Sequence, residues 1–369
     1  MSAIQRISFD TYLKFFLIGC TTFYIPGLHF YAPQEMFFQY GVMGFLAVCL
    51  FVPRTRPFTN FYLALILAYV ILNTVLFHFT PNSRLKLLNF FLGVALIKEL
   101  AERVDLDFKA IGNLLALFCA LNVIWLALQI HNIDPIFKSS MPQNMPEPDQ
   151  VGFMGLKANL GCLAAMAFPF IFAANPFNAI ICIPLLWFGK SSTAVVALIA
   201  SLLFLLWHKN KKIFWAVFIA AVAAGVFYIL KIDMPSGQFP KRFNIWFAGI
   251  NYIAGSKPWF GMGLGSWAVT GFTTLQENGQ PQTWTWAHNE FIQWIFEAGI
   301  IGLVLLYCYF KNIWSRIDLT FHRHRMAISI LIPLVVVSLF HFPFHLGRFA
   351  GLACYMLACV EALLQEDYS

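Results

Sequence analysis

Charged residues are scarce in this chain of 369 residues. Asp, Glu, Lys and Arg together make up 11% of it, against about 25% of a typical soluble domain. Hydrophobic residues make up 60%, and 17% of the chain is aromatic. So few charges cannot cover that much apolar surface in water. The composition therefore excludes a soluble domain, a disordered chain and a coiled coil, and it predicts a polytopic membrane protein.

Paired cysteines and clusters of metal ligands are also missing from the sequence. The eight cysteines lie in apolar stretches, without CxxC spacing and without a histidine at zinc-ligand spacing. They are expected to be small hydrophobic side chains inside helices, so we expect no metal and no cofactor. No A-x-A-like cleavage site follows the first apolar run, which is therefore expected to be a membrane span rather than a signal peptide.

Long apolar runs fill most of the sequence, and a spanning helix needs about 20 such residues. The runs are continuously apolar rather than alternating, which favours helices over a β-barrel. We predict an all-α polytopic membrane protein with about 12 transmembrane helices in a single integral membrane domain, residues 1–369. The predicted spans are 12–31, 35–53, 58–79, 84–100, 108–130, 152–174, 176–189, 192–207, 213–231, 288–310, 326–346 and 348–365.

The distribution of Lys and Arg predicts the orientation in the membrane. If the N-terminus is cytoplasmic, the densest basic clusters, within 208–212 and 311–325, also fall inside. An even number of spans then returns the C-terminus to the cytoplasm. Two polar segments fall outside: the proline-rich loop 131–150 and the longer loop 232–287.

The loop 232–287 is the longest segment outside the predicted spans. Its glycines at 261, 263 and 265 predict a flexible turn, and they are not a dinucleotide-binding fingerprint because no strand precedes them. A stripe of apolar residues at helical spacing predicts an amphipathic helix on the membrane surface. The stripe consists of Phe243, Trp246, Phe247, Ile250 and Ile253.

Histidine 288, in Ala287-His288-Asn289-Glu290, lies at the outer end of a predicted span. A histidine changes protonation state near neutral pH and can act as a general base. The alternative is a histidine that lies at the membrane interface beside aromatic residues. His341 and His345 also have two interpretations: they line an external cavity, or they lie at the interface beside a proline-kinked helix end, which the pattern favours.

Four cations on the predicted outer side form the second candidate site: Lys157, Lys190, Arg242 and Arg348. Positive residues outside oppose the usual bias, and together they would clamp an anionic lipid head such as a pyrophosphate. Taken singly, each is explained by snorkelling to the interface. The net charge of +7 therefore indicates an anionic lipid partner rather than nucleic acid.

Four stretches between about residues 151 and 362 resemble the O-antigen ligase superfamily, which also contains O-antigen polymerases. Two are specific: an Arg-x-x-x-Trp…Pro-x-x-Gly-x-Gly signature and a His-Asn…Gly-x-x-Gly signature. The other two are looser, a Gly…Asn segment before an apolar helix and a small-residue segment. In this chain they are Arg242–Trp246 with Lys257–Gly263, His288–Glu290 with Gly299–Gly302, Gly155–Gly161, and Gly189–Ala194.

The resemblance implies about a dozen transmembrane helices in the bacterial inner membrane, with one long periplasmic loop. Members of the superfamily transfer a glycan from a polyprenyl pyrophosphate carrier to an acceptor hydroxyl, without a required metal. By this resemblance His288 would deprotonate the acceptor and Arg242 would hold the pyrophosphate. Lys190 stands where the family commonly has Arg, which keeps the charge but loses the bidentate fork. Lys157, Lys190, Asn289 and Arg348 are expected to bind substrate.

The predicted function is therefore that of an O-antigen ligase-type glycosyltransferase, with a lipid A-core sugar as acceptor and a periplasmic active site. A polymerase that joins repeat units is the alternative within the superfamily, because acceptor choice depends on loop shape. A flippase or transporter of lipid-linked oligosaccharides would need charges or broken helices near the bilayer midplane, and the sequence shows few such charges. Protein O-glycosylation is disfavoured, because such enzymes usually add a larger C-terminal region.

Overall fold

The computed structural model describes residues 3–22, 31–52, 60–77, 81–103, 106–131, 133, 152–154, 157–209, 211–228, 238–275 and 281–365. Within these ranges the chain is mostly helical. Two short 3-10 helices, Gly152–Met154 and Pro176–Ile181, precede α6 and α7. The α-helices are α1 Ala3–Thr22, α2 Tyr31–Cys49, α3 Phe61–Phe77, α4 Pro81–Arg103, α5 Phe108–Ile130, α6 Lys157–Ala174, α7 Cys182–Gly189, α8 Ser192–Lys209, α9 Lys211–Tyr228, α10 Gln238–Ser256, α11 Ser266–Thr270, α12 Glu290–Ser315, α13 His322–Phe340 and α14 Gly347–Leu363.

The helical content confirms the predicted all-α class, but it does not confirm 12 spans. Among the described residues, four helices are long and apolar enough to cross a membrane, namely α5, α6, α12 and α13. Shorter apolar helices cover 11–20, 61–77, 176–189 and 192–207. The predicted span 326–346 is too long at its end, because α13 stops at Phe340 and a turn follows. Most of the predicted loop 131–150, and residues 231–237, lie outside the described residues.

Two helices form the centre of the bundle. Every residue of α14 from Arg348 to Leu363 is buried, and this helix packs against α1, α2, α4 and α13. Its many Gly, Ala and Cys residues let neighbouring backbones approach closely, as is usual between helices in membranes. The second central helix, α6, packs against α5, α7, α8 and α13. All eight cysteines are free thiols, and seven of them are buried, as their apolar surroundings predict.

A buried polar cluster joins three helices at the end of the bundle where α14 finishes. The carboxylate of Glu361 accepts hydrogen bonds from Asn60 Nδ2 and, at 2.7 Å, from Arg316 Nη2. Asn60 also caps α3 by accepting from the backbone N–H of Leu63. A buried carboxylate is tolerated only when it is paired and hydrogen-bonded. The cluster therefore fixes α3, α12 and α14 relative to one another at this end.

A two-stranded antiparallel hairpin, which the sequence analysis did not predict, lies in the long loop before α12. Strands β1 (Phe272–Leu275) and β2 (Pro281–Trp284) pair Phe272 with Trp284. The preceding helix α10 divides the predicted apolar stripe between two environments. Trp246 and Ile253 are buried in an aromatic cluster with Trp267 and Trp284. The other members of the stripe, Phe243, Phe247 and Ile250, are exposed.

Helix α12 is broken at Gly299, which has φ 67° and ψ −168°. The break frees backbone groups that would otherwise bond within the helix, and the segment 258–263 binds them. The N–H groups of Ile300 and Ile301 donate to the carbonyls of Pro258 and Trp259, at 2.9 and 3.1 Å. In the opposite direction, the carbonyls of residues 296 and 297 accept from residues 262 and 263, at 3.0 and 2.8 Å.

The glycines at this contact are required by both conformation and space. Gly261 and Gly299 both have positive φ, and the two backbones lie against each other. A β-carbon on Gly299 would come within 2.5 Å of the nitrogen of Gly261 and of the carbonyl oxygen of Trp259. The predicted turn at 261–265 is present, and the backbone N–H groups of residues 262 and 263 bond it to α12.

Replacing Gly299 with Ala should destabilise the protein. The conformation of Gly299 is essentially restricted to glycine, so strain alone should lower the free energy of unfolding by about 1–3 kcal/mol. The β-carbon would also clash with backbone atoms that hydrogen bonds hold in place. Thermal unfolding in detergent measures the effect.

Gly255→Ala is the matched control, because a β-carbon there meets nothing within 4 Å. This helical glycine should gain about 0.5–1 kcal/mol on replacement. Equal melting temperatures for Gly299→Ala and wild type would contradict the proposed backbone contact.

Candidate active site

The turn of residues 341–346, between α13 and α14, is where the main predicted site residues meet. The ring of Phe342 lies edge-on to the imidazoles of His288 and His341, with centroid distances of 4.8 and 4.6 Å. Arg242 Nη1 donates to the carbonyl oxygen of Phe340, at 3.3 Å, immediately before the turn. Three elements that are distant in sequence therefore converge here: α10, the loop before α12, and the turn.

His288 lies in a loop whose backbone is held on both sides. On one side, Trp246 Nε1 donates to the carbonyl oxygen of Ala287 at 2.6 Å, and the N–H of Ala287 donates to Gln293 Oε1 at 3.2 Å. On the other side, Asn289 is the N-cap of α12 and accepts from the N–H of the first turn at 3.0 Å. This loop thus fixes the position from which the His288 side chain projects.

Backbone strain coincides with the predicted site. Within the described ranges, the non-glycine residues with positive φ are His288, at 55°, and Lys190, at 44°. Such conformations cost about 1–3 kcal/mol each and cluster at functional sites. Lys190 ends α7 in the left-handed conformation that glycine or asparagine usually provides. The sequence analysis did not use backbone strain, yet the two strained residues, His288 and Lys190, are both residues that the sequence motifs selected.

His341 is a buried imidazole beside the half-buried His288. Its Nε2 lies 2.8 Å from Asn159 Oδ1. Because Asn159 Nδ2 donates to the carbonyl oxygen of Met154, the asparagine oxygen must face the histidine, which places the imidazole proton on Nε2. The guanidinium of Arg348 donates to the same carbonyl of Met154. The imidazole of His341 therefore donates from Nε2 to Asn159.

Burial and positive charge both lower the basicity of the two histidines. Burial, reinforced by the charge of Arg242, lowers the pKa of His288 from 6.5 to about 3. Burial likewise lowers the pKa of His341 to about 3, with further contributions from His288, Arg242 and Arg348. Both imidazoles are thus neutral at physiological pH, and the charge of the site comes from its arginines.

A polar cluster also connects the residues that follow His288 to the turn of residues 341–346. The carboxylate of Glu290 lies 2.8 Å from His345 Nδ1 and accepts from the N–H of Phe344 at 2.9 Å. Gln293 Nε2 lies 3.1 Å from both His345 Nε2 and Glu297 Oε1. The cluster ties the beginning of α12 to the turn of residues 341–346.

One comparison with known proteins finds a similar family. Residues 177–307 match the family model described as O-antigen ligase. The match confirms the resemblance to the O-antigen ligase and polymerase superfamily. No curated protein matches the chain.

The family match contains Lys190, Arg242, His288 and Asn289, whereas Lys157 and Arg348 lie outside it. It also contains both specific signatures. In the structure the Pro-x-x-Gly-x-Gly signature binds the Gly-x-x-Gly signature through the backbone contact at Gly299. The glycines of the O-antigen ligase signatures therefore have a structural role here, and they hold Arg242 and His288 on elements that are fixed to each other.

The predicted substrate-binding residues differ in their exposure and in their contacts. Lys157 and Lys190 lie on the adjoining ends of α6 and α7, where a β-carbon on Gly189 would come within 3.1 Å of the carbonyl oxygen of Lys157. Lys190 is exposed. Arg348, by contrast, is 1% exposed and bonds the chain at Met154. Roles in substrate binding for these residues and for Asn289 stay predictions.

Several residues of the site were not selected by the sequence analysis. Asn159 was noted only as the asparagine of a loose family segment, Gln293 was not considered, and His341 and His345 were interpreted as interfacial histidines. His341 is instead 7% exposed and hydrogen-bonded. Among the described residues, no group of three or more His, Cys, Asp or Glu side chains is arranged to hold a metal; independence from a metal stays a prediction.

Acid should destabilise the protein through its neutral histidines. The unfolded His341 takes up a proton below its ordinary pKa of 6.5, whereas the folded one does not until about 3. The free energy of unfolding should therefore fall as the pH falls through this range, by up to about 1.4 kcal/mol per pH unit for such a group. His341→Gln, which keeps a donor for Asn159, should make the fall shallower between pH 7 and 5.

The measurement is the unfolding midpoint in detergent as a function of pH. His131→Gln is the control, since His131 is exposed at the end of α5. An unchanged pH dependence in His341→Gln would contradict a neutral, buried His341.

Proposed function

We propose that this protein is an integral membrane glycosyltransferase that moves a glycan from a polyprenyl pyrophosphate carrier to an acceptor hydroxyl, with its site on the periplasmic side of the bacterial inner membrane. The observation that carries the proposal is the meeting of Arg242 and a strained His288 at one turn. The family match, which contains both residues, supports it.

The proposed reaction needs one base and one site for the leaving group. His288 takes the proton from the acceptor hydroxyl, whose oxygen then forms a bond to the anomeric carbon. The bond between that carbon and the pyrophosphate oxygen breaks, and the polyprenyl pyrophosphate leaves with the electron pair. Arg242 stabilises the negative charge that develops on it. The enzyme otherwise orients its two substrates.

The low basicity of His288 fits this order of events. An imidazole with a pKa of about 3 is a poor base at neutral pH. A pyrophosphate bound against Arg242 would offset the positive charge that lowers this pKa. Burial, the larger cause of the low pKa, would remain, so donor binding would raise the basicity of His288 in part.

The structure also contains a cavity of about 180 Å³ that is lined mainly by apolar side chains. Its polar end is formed by Lys86, Glu290 and His345, close to the His288 loop. From there it follows α4, α12 and α14 to Tyr309 and Leu357. We propose that part of the polyprenyl chain of the donor lies in this cavity.

Replacing the base should abolish transfer. His288→Ala should lower the rate of glycan transfer about 10²–10⁴-fold, the usual contribution of a general base. Arg242→Ala should slow transfer and weaken donor binding, and Arg242→Lys should restore part of both because it keeps the charge. The assay uses purified protein in liposomes with a polyprenyl pyrophosphate-linked glycan.

The matched control is Lys241→Ala, which removes the cation next to Arg242 on the same helix. It should retain wild-type transfer. Undiminished transfer by His288→Ala, in protein that inserts normally, would rule out His288 as the base.

Filling the cavity should weaken the binding of long-chain donors only. A β-carbon on Gly93 meets only the Cys354 thiol, at 3.4 Å, so Gly93→Ala is tolerated and serves as control. Gly93→Leu would occupy space that a hydrocarbon chain needs, at about 0.8 kcal/mol per displaced methylene. Its KM for a long-chain donor should rise about tenfold or more, while a donor shortened to two isoprene units is unaffected. Equal effects on both donors would contradict the assignment of the cavity.

A ligase and a polymerase would differ only in the acceptor. Deletion of the gene distinguishes them: loss of a ligase leaves polymer on the carrier lipid, whereas loss of a polymerase leaves single repeats attached to the acceptor. We propose the ligase as the first assignment, with a lipid A-core sugar as acceptor.

Transport is less well supported. A transporter would use a broken helix to line a substrate path. The break in α12 is instead filled by protein, since the segment 258–263 and Tyr69, whose hydroxyl donates to the carbonyl of Ala298 at 2.6 Å, bind its backbone groups. Coupled uptake by the protein in liposomes would favour transport.

A further inference from the structure

The loop that carries His288 is joined to the turn of residues 341–346 by more than the contact with Phe342. The carboxylate of Glu290, two residues after His288, lies 2.8 Å from His345 Nδ1 and accepts a hydrogen bond from the backbone N–H of Phe344. Ala287, the residue before His288, donates its N–H to Gln293. Residues on both sides of His288 are therefore held by one polar cluster.

Gln293 is the centre of this cluster. Its Oε1 accepts from the N–H of Ala287, so its Nε2 must face the other way. There Nε2 lies 3.1 Å from both His345 Nε2 and Glu297 Oε1. Gln293 is 1% exposed, so these contacts are shielded from water. The side-chain amide of Gln293 thus links the His288 loop, the turn of residues 341–346 and the second turn of α12.

We propose that Gln293, with Glu290 and His345, is a positioning set that holds the strained His288 backbone in the conformation needed for proton transfer. None of the three is assigned to the reacting atoms. Their role rests on the proposed function, in which His288 is the base. They act through the loop, by fixing its two flanking residues.

The strain at His288 separates this role from ordinary packing. A histidine with φ 55° relaxes to a commoner conformation unless its neighbours prevent it. The groups that prevent it are the N–H and carbonyl of Ala287, the N-cap at Asn289 and the carboxylate of Glu290. Of these, the N–H of Ala287 and the carboxylate of Glu290 belong to the cluster. Loss of the cluster should release the His288 loop before it disrupts the helices.

The decisive variant is Gln293→Met, which keeps the size of the side chain and removes its hydrogen bonds. We expect kcat for glycan transfer to fall about 10²-fold, the effect of a small misplacement of a catalytic group, with donor KM changed less than about threefold. NMR titration of the His288 imidazole should show its pKa rising from about 3 towards its ordinary value, because a released loop admits water. Glu290→Gln, which keeps an acceptor for Phe344, should produce both effects to a smaller extent.

Asn60→Leu is the matched control, since Asn60 is also a buried amide that bridges helices, at the opposite end of the bundle. It should lower stability without changing kcat per folded molecule or the titration of His288. The proposal fails if Gln293→Met and Glu290→Gln, once folded, leave both kcat and the pKa of His288 at wild-type values. If wild type transfers no glycan, the proposed function fails, and the NMR titration still decides whether the set positions His288.

Discussion

The backbone contact between Gly261 and Gly299 is the constraint on which the rest of the site depends. A helix that is broken inside a membrane protein leaves N–H and carbonyl groups that water cannot reach, and each must find a partner within the protein. The segment 258–263 supplies those partners by lying against the break in both directions. Two helix fragments and a loop are thereby joined through backbone atoms, which leaves little freedom for any of them to shift.

That rigidity is transmitted to the chemistry through a few aromatic and polar contacts. The segment 258–263 follows α10, whose Trp246 donates to the carbonyl of Ala287, the residue before His288. Trp267 donates to the carbonyl of Trp284, which lies beside the same histidine. The hairpin β1–β2 orients Trp284, because the indole N–H of Trp284 on β2 donates to the hydroxyl of Thr274 on β1 at 2.7 Å. The turn of residues 341–346 closes the site from the other side. Arg242 and His288 are therefore presented by elements that are fixed independently of substrate.

The sequence predicted the class of the protein, and it selected Arg242 and His288, which the structure brings to one turn. It missed most of the residues that surround them. Composition was sufficient to predict the helical membrane class, because so few charged residues cannot cover the apolar surface of the chain in water. The signatures pointed to Arg242 and His288, but they could not show that the glycines of one signature bind those of the other. The pairing of His341 with Asn159 joins residues 182 positions apart. No local periodicity carries that information, so the histidine was interpreted as interfacial.

The same limit explains the errors in local structure. The stripe on α10 was interpreted as a single membrane-facing surface, although helical spacing cannot distinguish lipid from an aromatic core. Two of its five residues, Trp246 and Ile253, are in the cluster with Trp267 because α10 lies over α12. The strands of the hairpin have four residues each, too short for a periodic pattern to emerge. Tertiary contacts decided these features, and the contacts depend on the break in α12.

The electrostatics of the site follow from the same architecture. Two neutral imidazoles are held near Arg242 and Arg348, and burying such cations costs free energy that an anion can recover. Under the proposed function, a pyrophosphate bound at Arg242 recovers part of that cost and raises the basicity of His288 in the same step. Recognition of the donor and activation of the base would then depend on one charge. A neutral lipid in the same position would leave the effect of Arg242 on the His288 pKa in place, so the rigid scaffold would favour the anionic carrier by chemistry as well as by binding.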